Sequence, residues 1–283
     1  MGKSDYIVRQ ATREQLDIAI EWAATEGWNP GLHDGDAFFA TDPKGFFLGF
    51  LGDEPISSIS AVAYDDKFGF LGFYIVKPEY RGQGYGIKIW NEAIKHLPTQ
   101  NIALDGVVAQ QENYKKSGFK LAYRNIRYEG IGINEKIDFS EIKLLSGIPF
   151  EQILAYDNQV FPTSRSTFLK NWLKQPESLA IGFVKNNNLL GYSMVRRCRT
   201  GFKVGPLFAD DEEVADKLFQ KMRGFVGDDT QIFLDTPEVN KSAVSLAKKY
   251  SMKPMFETAR MYTKGEPKVA LNKTFGVTTF ELG

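Results

Sequence analysis

Cysteine and histidine are nearly missing from this chain of 283 residues. Cys198 is the single thiol, so no intrachain disulfide and no cysteine-built metal site can form. His33 and His96 are the only imidazoles, which leaves little for zinc, and no metal is expected. Charge of one sign is missing too. Lys plus Arg equals Asp plus Glu at 35 each, without a long basic run, so nucleic acid is not expected as a partner. No apolar stretch approaches the ~20 residues a membrane-spanning helix needs, and no membrane partner is expected. The start, Met1 to Tyr6, soon reaches Arg9, Arg13 and Glu14 without an apolar signal core. Tyr6 also stands where a myristoylation motif wants Ser or Thr. A cytoplasmic monomer or small homo-oligomer is the expectation. With 43% hydrophobic residues, the chain can bury the cores of two domains.

Glycine, by contrast, is concentrated in one place. In Gly72-Phe-Tyr-Ile-Val-Lys-Pro-Glu-Tyr-Arg-Gly-Gln-Gly-Tyr-Gly86, aromatic and β-branched residues up to Val76 read as a strand. Pro78 ends that strand, and Gly82, Gly84 and Gly86 punctuate a turn. Ile87, Trp90, Ile94 and Leu97 then recur at helical spacing until Pro98. Bare N–H groups at a helix start form an anion cradle suited to phosphates. A Walker loop is excluded, because Gly86 is followed by Ile87-Lys88 rather than Lys-Ser/Thr. A dinucleotide fingerprint is excluded because the third glycine comes one residue too soon.

The same order of elements occurs twice. In the first half, a strand at Ile7–Gln10 precedes a helix capped by Thr12. Strands at Gly45–Leu51, Ile56–Tyr64 and Phe68–Val76, the loop helix, Ile102–Val107, a helix holding Tyr114, and Phe119–Tyr128 follow. The second half repeats this with helices at Ile153–Gln159 and Phe168–Trp172 and a hairpin of Leu179–Lys185 and Leu190–Arg197. Lys203–Phe208, the helix Asp211–Phe225, Gln231–Leu234, the helix Ser242–Tyr250 and Phe256–Tyr262 complete the repeat. Ile102-Ala-Leu-Asp105 matches Ile232-Phe-Leu-Asp235, and Arg127 matches Arg260. Two copies of one domain are expected, at residues 1–133 and 134–283. Phe275 to Leu282 reads as one more strand.

The loop Arg81-x-x-Gly84-x-Gly86 resembles the acyl-CoA pyrophosphate loop of the GNAT N-acetyltransferase superfamily, Arg/Gln-x-x-Gly-x-Gly/Ala. Asn113-Tyr114-Lys-Lys-Ser-Gly118-Phe119 resembles that superfamily's later Tyr-x-Lys-x-Gly-Phe motif, in which Gly118 ends a helix. Glu26-Gly-Trp-Asn-Pro-Gly31 and the segment from Tyr156 to Trp172 are similar to a subgroup of tandem members, and the likeness covers essentially the whole chain. The resemblance implies an α+β fold of two tandem domains, each a mixed, mostly antiparallel sheet flanked by helices. It implies acetyl-CoA as cosubstrate, held by Tyr74, Ile75, Val76, Arg81, Gly82, Gln83, Gly84, Tyr85, Gly86, Asn113 and Lys116. It also implies transfer of acetyl directly to a primary amine, with an oxyanion N–H near Val76 and with Tyr114 giving its proton to the leaving thiolate. The second copy, Gly205-Pro-Leu-Phe-Ala-Asp-Asp211, lacks the glycine pattern, so one active and one degenerate domain are expected.

The base is less defined by sequence. Asp105 lies late on the strand beside the expected cleft, although its recurrence as Asp235 favours a structural role. His33 has a suitable ordinary pKa of about 6.5 and falls in an acceptor loop. Trp28, Asn29 and Asp34 cluster where the superfamily places substrate-contacting loops, and Arg165 of the second half could line the facing surface. The acceptor is a small-molecule or peptide amine. An acyl-CoA-binding sensor and a non-catalytic scaffold are the alternatives.

Overall fold

The computed structural model describes residues 5–283, so the first four residues of the start discussed above lie outside it. Strand β1 (Tyr6–Gln10) leads into α1 (Arg13–Thr25), where Thr12 and Gln15 form a reciprocal capping box. Helix α2 (Asp34–Thr41) follows, then the antiparallel strands β2 (Phe46–Leu51), β3 (Glu54–Ala63) and β4 (Phe68–Val76). Helix α3 (Tyr85–Ala93) crosses back to β5 (Asn101–Val107), which lies parallel to β4. Helix α4 (Gln111–Lys116) and β6 (Lys120–Ile131) close the first half.

The second half runs through β7 (Ile142–Leu144), α5 (Phe150–Val160), α6 (Ser166–Trp172), β8 (Ser178–Lys185), β9 (Asn188–Arg197) and β10 (Phe202–Ala209). Helix α7 (Glu212–Val226), capped by Asp211, leads to β11 (Gln231–Pro237), α8 (Lys241–Lys249), β12 (Lys253–Tyr262) and the short β13 (Thr274–Gly276).

The two halves exchange their last strands. Strand order is β1-β2-β3-β4-β5-β12-β6-β11-β10-β9-β8-β7, so β12 enters the first half beside β5 and β6 lies against β11. The sequence landmarks become reciprocal ion pairs across this exchange. Arg127 on β6 grips Asp235 on β11 with two bonds of 2.7 Å, and Arg260 on β12 grips Asp105 on β5 at 2.9 and 2.6 Å. All four side chains are buried, so each charge depends on its partner for compensation.

The closing segment departs from expectation. Only Thr274–Gly276 forms a strand, and residues 277–283 continue as a buried, irregular stretch. Their polar groups are satisfied piecemeal rather than by a ladder. Tyr64 Oη donates to the Leu282 carbonyl at 2.8 Å, Arg165 Nη1 donates to that of Gly283 at 3.0 Å, and Val277 N–H donates to that of Asp235 at 2.8 Å.

Candidate active site

Strands β4 and β5 pair only from Phe68–Leu71 to Asn101–Leu104; beyond Leu71 they diverge, while the other edge of β5 stays paired with β12 through Val107. The parting begins at a bulge. Ser60 faces Gly72 and Ser58 faces Ile75, leaving one extra residue on β4, and Phe73 takes a left-handed φ of 47°. Ser58 Oγ donates to the Phe73 carbonyl at 2.7 Å and holds the bulge. The resulting fork encloses about 460 Å³.

Backbone donors face into this fork. Lys77 N–H is spent on the Ile56 carbonyl at 2.9 Å, so alternation along the ladder turns the Val76 amide away from β3 and toward the gap. At the mouth, Gly82 (φ 75°) and Gly84 (φ 83°) are left-handed, and Gly84 is the N-cap from which α3 starts with unspent amides. Gly86 must be bare for another reason: a Cβ there would stand 2.7 Å from Tyr74 Oη. Arg81 lies beside the loop, its Nε on the Val76 carbonyl at 2.8 Å and its Nη2 on the Glu26 carboxylate. An arginine, an amide cluster and a helix N-terminus together suit a diphosphate.

The two faces of the fork differ. Leu71 and Leu104 point into a core beneath α3 and α4 with Trp90 and Tyr114, whereas Phe70 and Ala103 point to the opposite core with Phe161 and Tyr262. Two residues further on, Gly106 faces Tyr114, and Gly72 and Asp105 face the segment 277–283. Tyr114 is buried between Trp90, stacked at 5.9 Å, and the bare Gly106. Burial, with Tyr74 adding to it, raises the Tyr114 phenol, so it keeps its proton and can act only as a donor near neutral pH.

This fork and loop are matched in other proteins. The model of the acetyltransferase (GNAT) family matches residues 12–119, and an acetyltransferase (GNAT) domain model matches residues 153–276. A protein of Pseudoalteromonas sp. (strain SANK 73390) named holothin acyltransferase is 33% identical over 97% of this chain and 94% of its own. The chain belongs to the GNAT acyltransferase superfamily, as a tandem member. Solved structures agree on the fold. A Pyrococcus horikoshii protein assigned to the acetyltransferases superposes with a TM-score of 0.84 at 22% identity, covering 100% of this chain and 98% of that one. A tandem GNAT protein from the clavulanic acid biosynthesis pathway covers 91% of this chain and 98% of its own, with a TM-score of 0.63 at 10% identity.

Within this GNAT fork lie Trp28, Tyr74, Ile75, Val76, Arg81, Gly82, Gly86, Asp105, Asn113 and Tyr114. Gln83, Gly84 and Tyr85 sit on the loop but not on the fork lining, and Tyr85 packs against Tyr6. Lys116 is exposed on α4, away from the lining. Four expected acceptor or base residues lie elsewhere. Asp34 is fully buried, with two bonds from Arg196 and one from the Gly31 amide, so its charge is already compensated. Arg165 is likewise closed off by Asp157. Asn29 exchanges two hydrogen bonds with Thr200, and His33 contacts Glu177 at 3.2 Å. All four tie the first half to, or lie within, the second.

Asp105 reaches the fork with its oxygens already used. Oδ1 accepts from Asn125 at 2.8 Å and from Arg260, and Oδ2 accepts from Arg260 again. Burial lifts its carboxyl above the usual range while Arg260 pulls it back. A carboxylate so occupied is poorly placed to take a proton from an acceptor. The lining also holds residues the sequence reading did not single out as site residues: Glu26, Phe256, Thr258, Phe280 and Glu281. Glu281 carries the one signal that could have been noticed, an acid in an otherwise uncharged closing stretch.

The second GNAT half has no such opening. Strands β10 and β11 pair at Phe202–Val204 with Ile232–Leu234, and β13 then joins β10 at Leu207 and Phe208. The diverging ends are thus filled by the chain itself. On α8, which stands in the second half where α4 stands in the first, Ala247 is core, and the nearby Tyr250 phenol is spent on Asp216 at 2.7 Å.

Proposed function

We propose that this chain moves an acetyl group from acetyl-CoA directly to a primary amine, using the fork of its first half. One observation carries the reading: a loop of bare amides with Arg81 stands at the mouth of a gap whose wall holds a protonated, buried Tyr114. In this reading, residues 1–133 form most of the CoA site and residues 134–283 supply the acceptor side. CoA would lay its diphosphate on Gly82, Gly84 and Gly86 and its pantetheine between β4 and β5. The amine attacks the thioester carbon, the Val76 amide steadies the oxyanion, and Tyr114 protonates the departing thiolate. The name of the Pseudoalteromonas relative makes holothin one acceptor to try, beside a panel of simple amines.

Calorimetry with acetyl-CoA tests the donor half. One site is expected, abolished by Gly84→Trp, which would force a tryptophan backbone to φ 83° and put its ring in the diphosphate cradle. Release of free CoA thiol tests transfer. Absence of any acetyl-CoA binding would falsify the reading, and two sites would overturn the assignment of the second half as closed.

A further inference from the structure

Beside Glu26 and Asp105 the fork contains a third carboxylate, and among the described residues no cation is paired with it. Glu281 lines the fork at 3% exposure, and among the described residues its carboxylate accepts one hydrogen bond, from the Thr279 hydroxyl. Its place is fixed by its own backbone, since a Cβ on Gly72 would stand 2.2 Å from the Glu281 carbonyl oxygen. The side chain therefore enters where β4 and β5 begin to part, on the face opposite Tyr114.

Around it stand charged groups whose partners are already assigned. Arg127 on β6 is paired with Asp235, and Arg196 on β9 with Asp34. Lys203 on β10 gives its ammonium to the Trp28 carbonyl at 3.3 Å. All three sense the Glu281 charge, yet none forms an ion pair with it among the described residues. In the same lining, Thr258 Oγ1 on β12 is buried with no hydrogen-bond partner among the described residues. Trp28, Phe256 and Phe280 supply the apolar walls. A carboxylate without a paired cation and an orphan hydroxyl among aromatic rings form a pocket suited to a ligand with N–H groups.

Resting on the acetyl-transfer reading above, we propose that Glu281 is the catalytic base and Thr258 the anchor of the acceptor amine, which enters on the face opposite Tyr114. The amine nitrogen forms its bond to the thioester carbon and passes its proton to the Glu281 carboxylate, directly or across one water. The C–S bond breaks, and the CoA thiolate takes the Tyr114 proton. Water then returns the proton from Glu281 to the Tyr114 phenolate, leaving amide and free thiol. Base and acid stand on opposite faces of one sheet, with the thioester in the gap between them.

The test follows CoA thiol release from acetyl-CoA with benzylamine, and with water alone, across pH. Glu281→Gln is expected to lower both rates about 100-fold. Acetyl-CoA affinity should stay within about twofold. Thr258→Val is expected to raise the benzylamine KM several-fold with kcat retained, and it decides the matter if Glu281→Gln does not fold. A Glu281→Gln enzyme with wild-type rates overturns the role of Glu281. Wild-type protein that binds acetyl-CoA but is slow toward both nucleophiles, with neither variant differing from it, overturns it as well. A wild type that binds no acetyl-CoA removes the underlying reading itself, which is a distinguishable failure.

Discussion

Gly106→Ala tests how closely the Tyr114 phenol must be held. A Cβ at position 106 would lie 2.3 Å from Tyr114 Cε2, and ordinary contact begins at 3.4 Å, so the ring must move by about 1.1 Å. It cannot settle backward, because Trp90 stacks behind it and Phe119 packs in the same core. Nor can β5 retreat, since Gly106 is held opposite Ala259 of β12 in the middle of the sheet. A displacement of that size at a catalytic group costs about 100-fold in rate, or ~2.7 kcal/mol of barrier. Acetyl-CoA binding, carried mostly by the loop at the fork mouth, should change little. The assay pairs calorimetry with thiol release under saturating amine, for Gly106→Ala, Tyr114→Phe and the double variant. If the phenol is the affected group, Gly106→Ala costs almost nothing further once Tyr114 is Phe. Full turnover by Gly106→Ala alone, at unchanged acetyl-CoA affinity, would refute the reasoning.

Three further outcomes are expected. Glu26→Gln releases Arg81 from its ion pair and should tighten acetyl-CoA binding by about two- to fivefold, less at high salt. Arg260→Met leaves Asp105 buried and unpaired and should cost about 3–5 kcal/mol in urea unfolding, much of it recovered by adding Asp105→Asn. Burial, and then Arg127, hold the Lys203 ammonium below the usual lysine range. The unfolded chain therefore binds more protons from that lowered value up to about pH 10.4, so stability rises with pH across this window. Lys203→Met should flatten that rise; an identical slope in urea midpoints would count against it.

What could be read from sequence was local. Gly82 and Gly84 announce a loop because their φ needs are written in the residues themselves, and Gly118 marks the end of α4 in the same way. Element order followed from period-two and helical patterns. Partnership did not, since alternation says which face of a strand is apolar but not which strand lies beside it. Nothing in β6 or β12 announces the exchange, although the matched Asp105/Asp235 and Arg127/Arg260 were its two ends seen apart. Asp34 looked like a solvent-facing loop acid because Arg196, its partner, is 162 residues away. Glu281 escaped notice because the apolar pattern of Phe275–Leu282 suggested a strand, where an acid would be an edge residue rather than a group carried into a fork.

The strand exchange bears on how the protein is made. When Ile131 leaves the ribosome, every sequence element of the first half is present, yet β5 and β6 still lack the neighbour between them. That neighbour is β12, whose last residue, Tyr262, is synthesised 131 residues later. Until then the nascent first half carries two open sheet edges and an unpaired Asp105, a state prone to wrong partners and in need of shielding. The finished fold, rich in such distant contacts, forms late and as a unit. A gene duplication that ends in mutual exchange is also hard to reverse: neither copy can be lost without removing the last strand of the other's sheet.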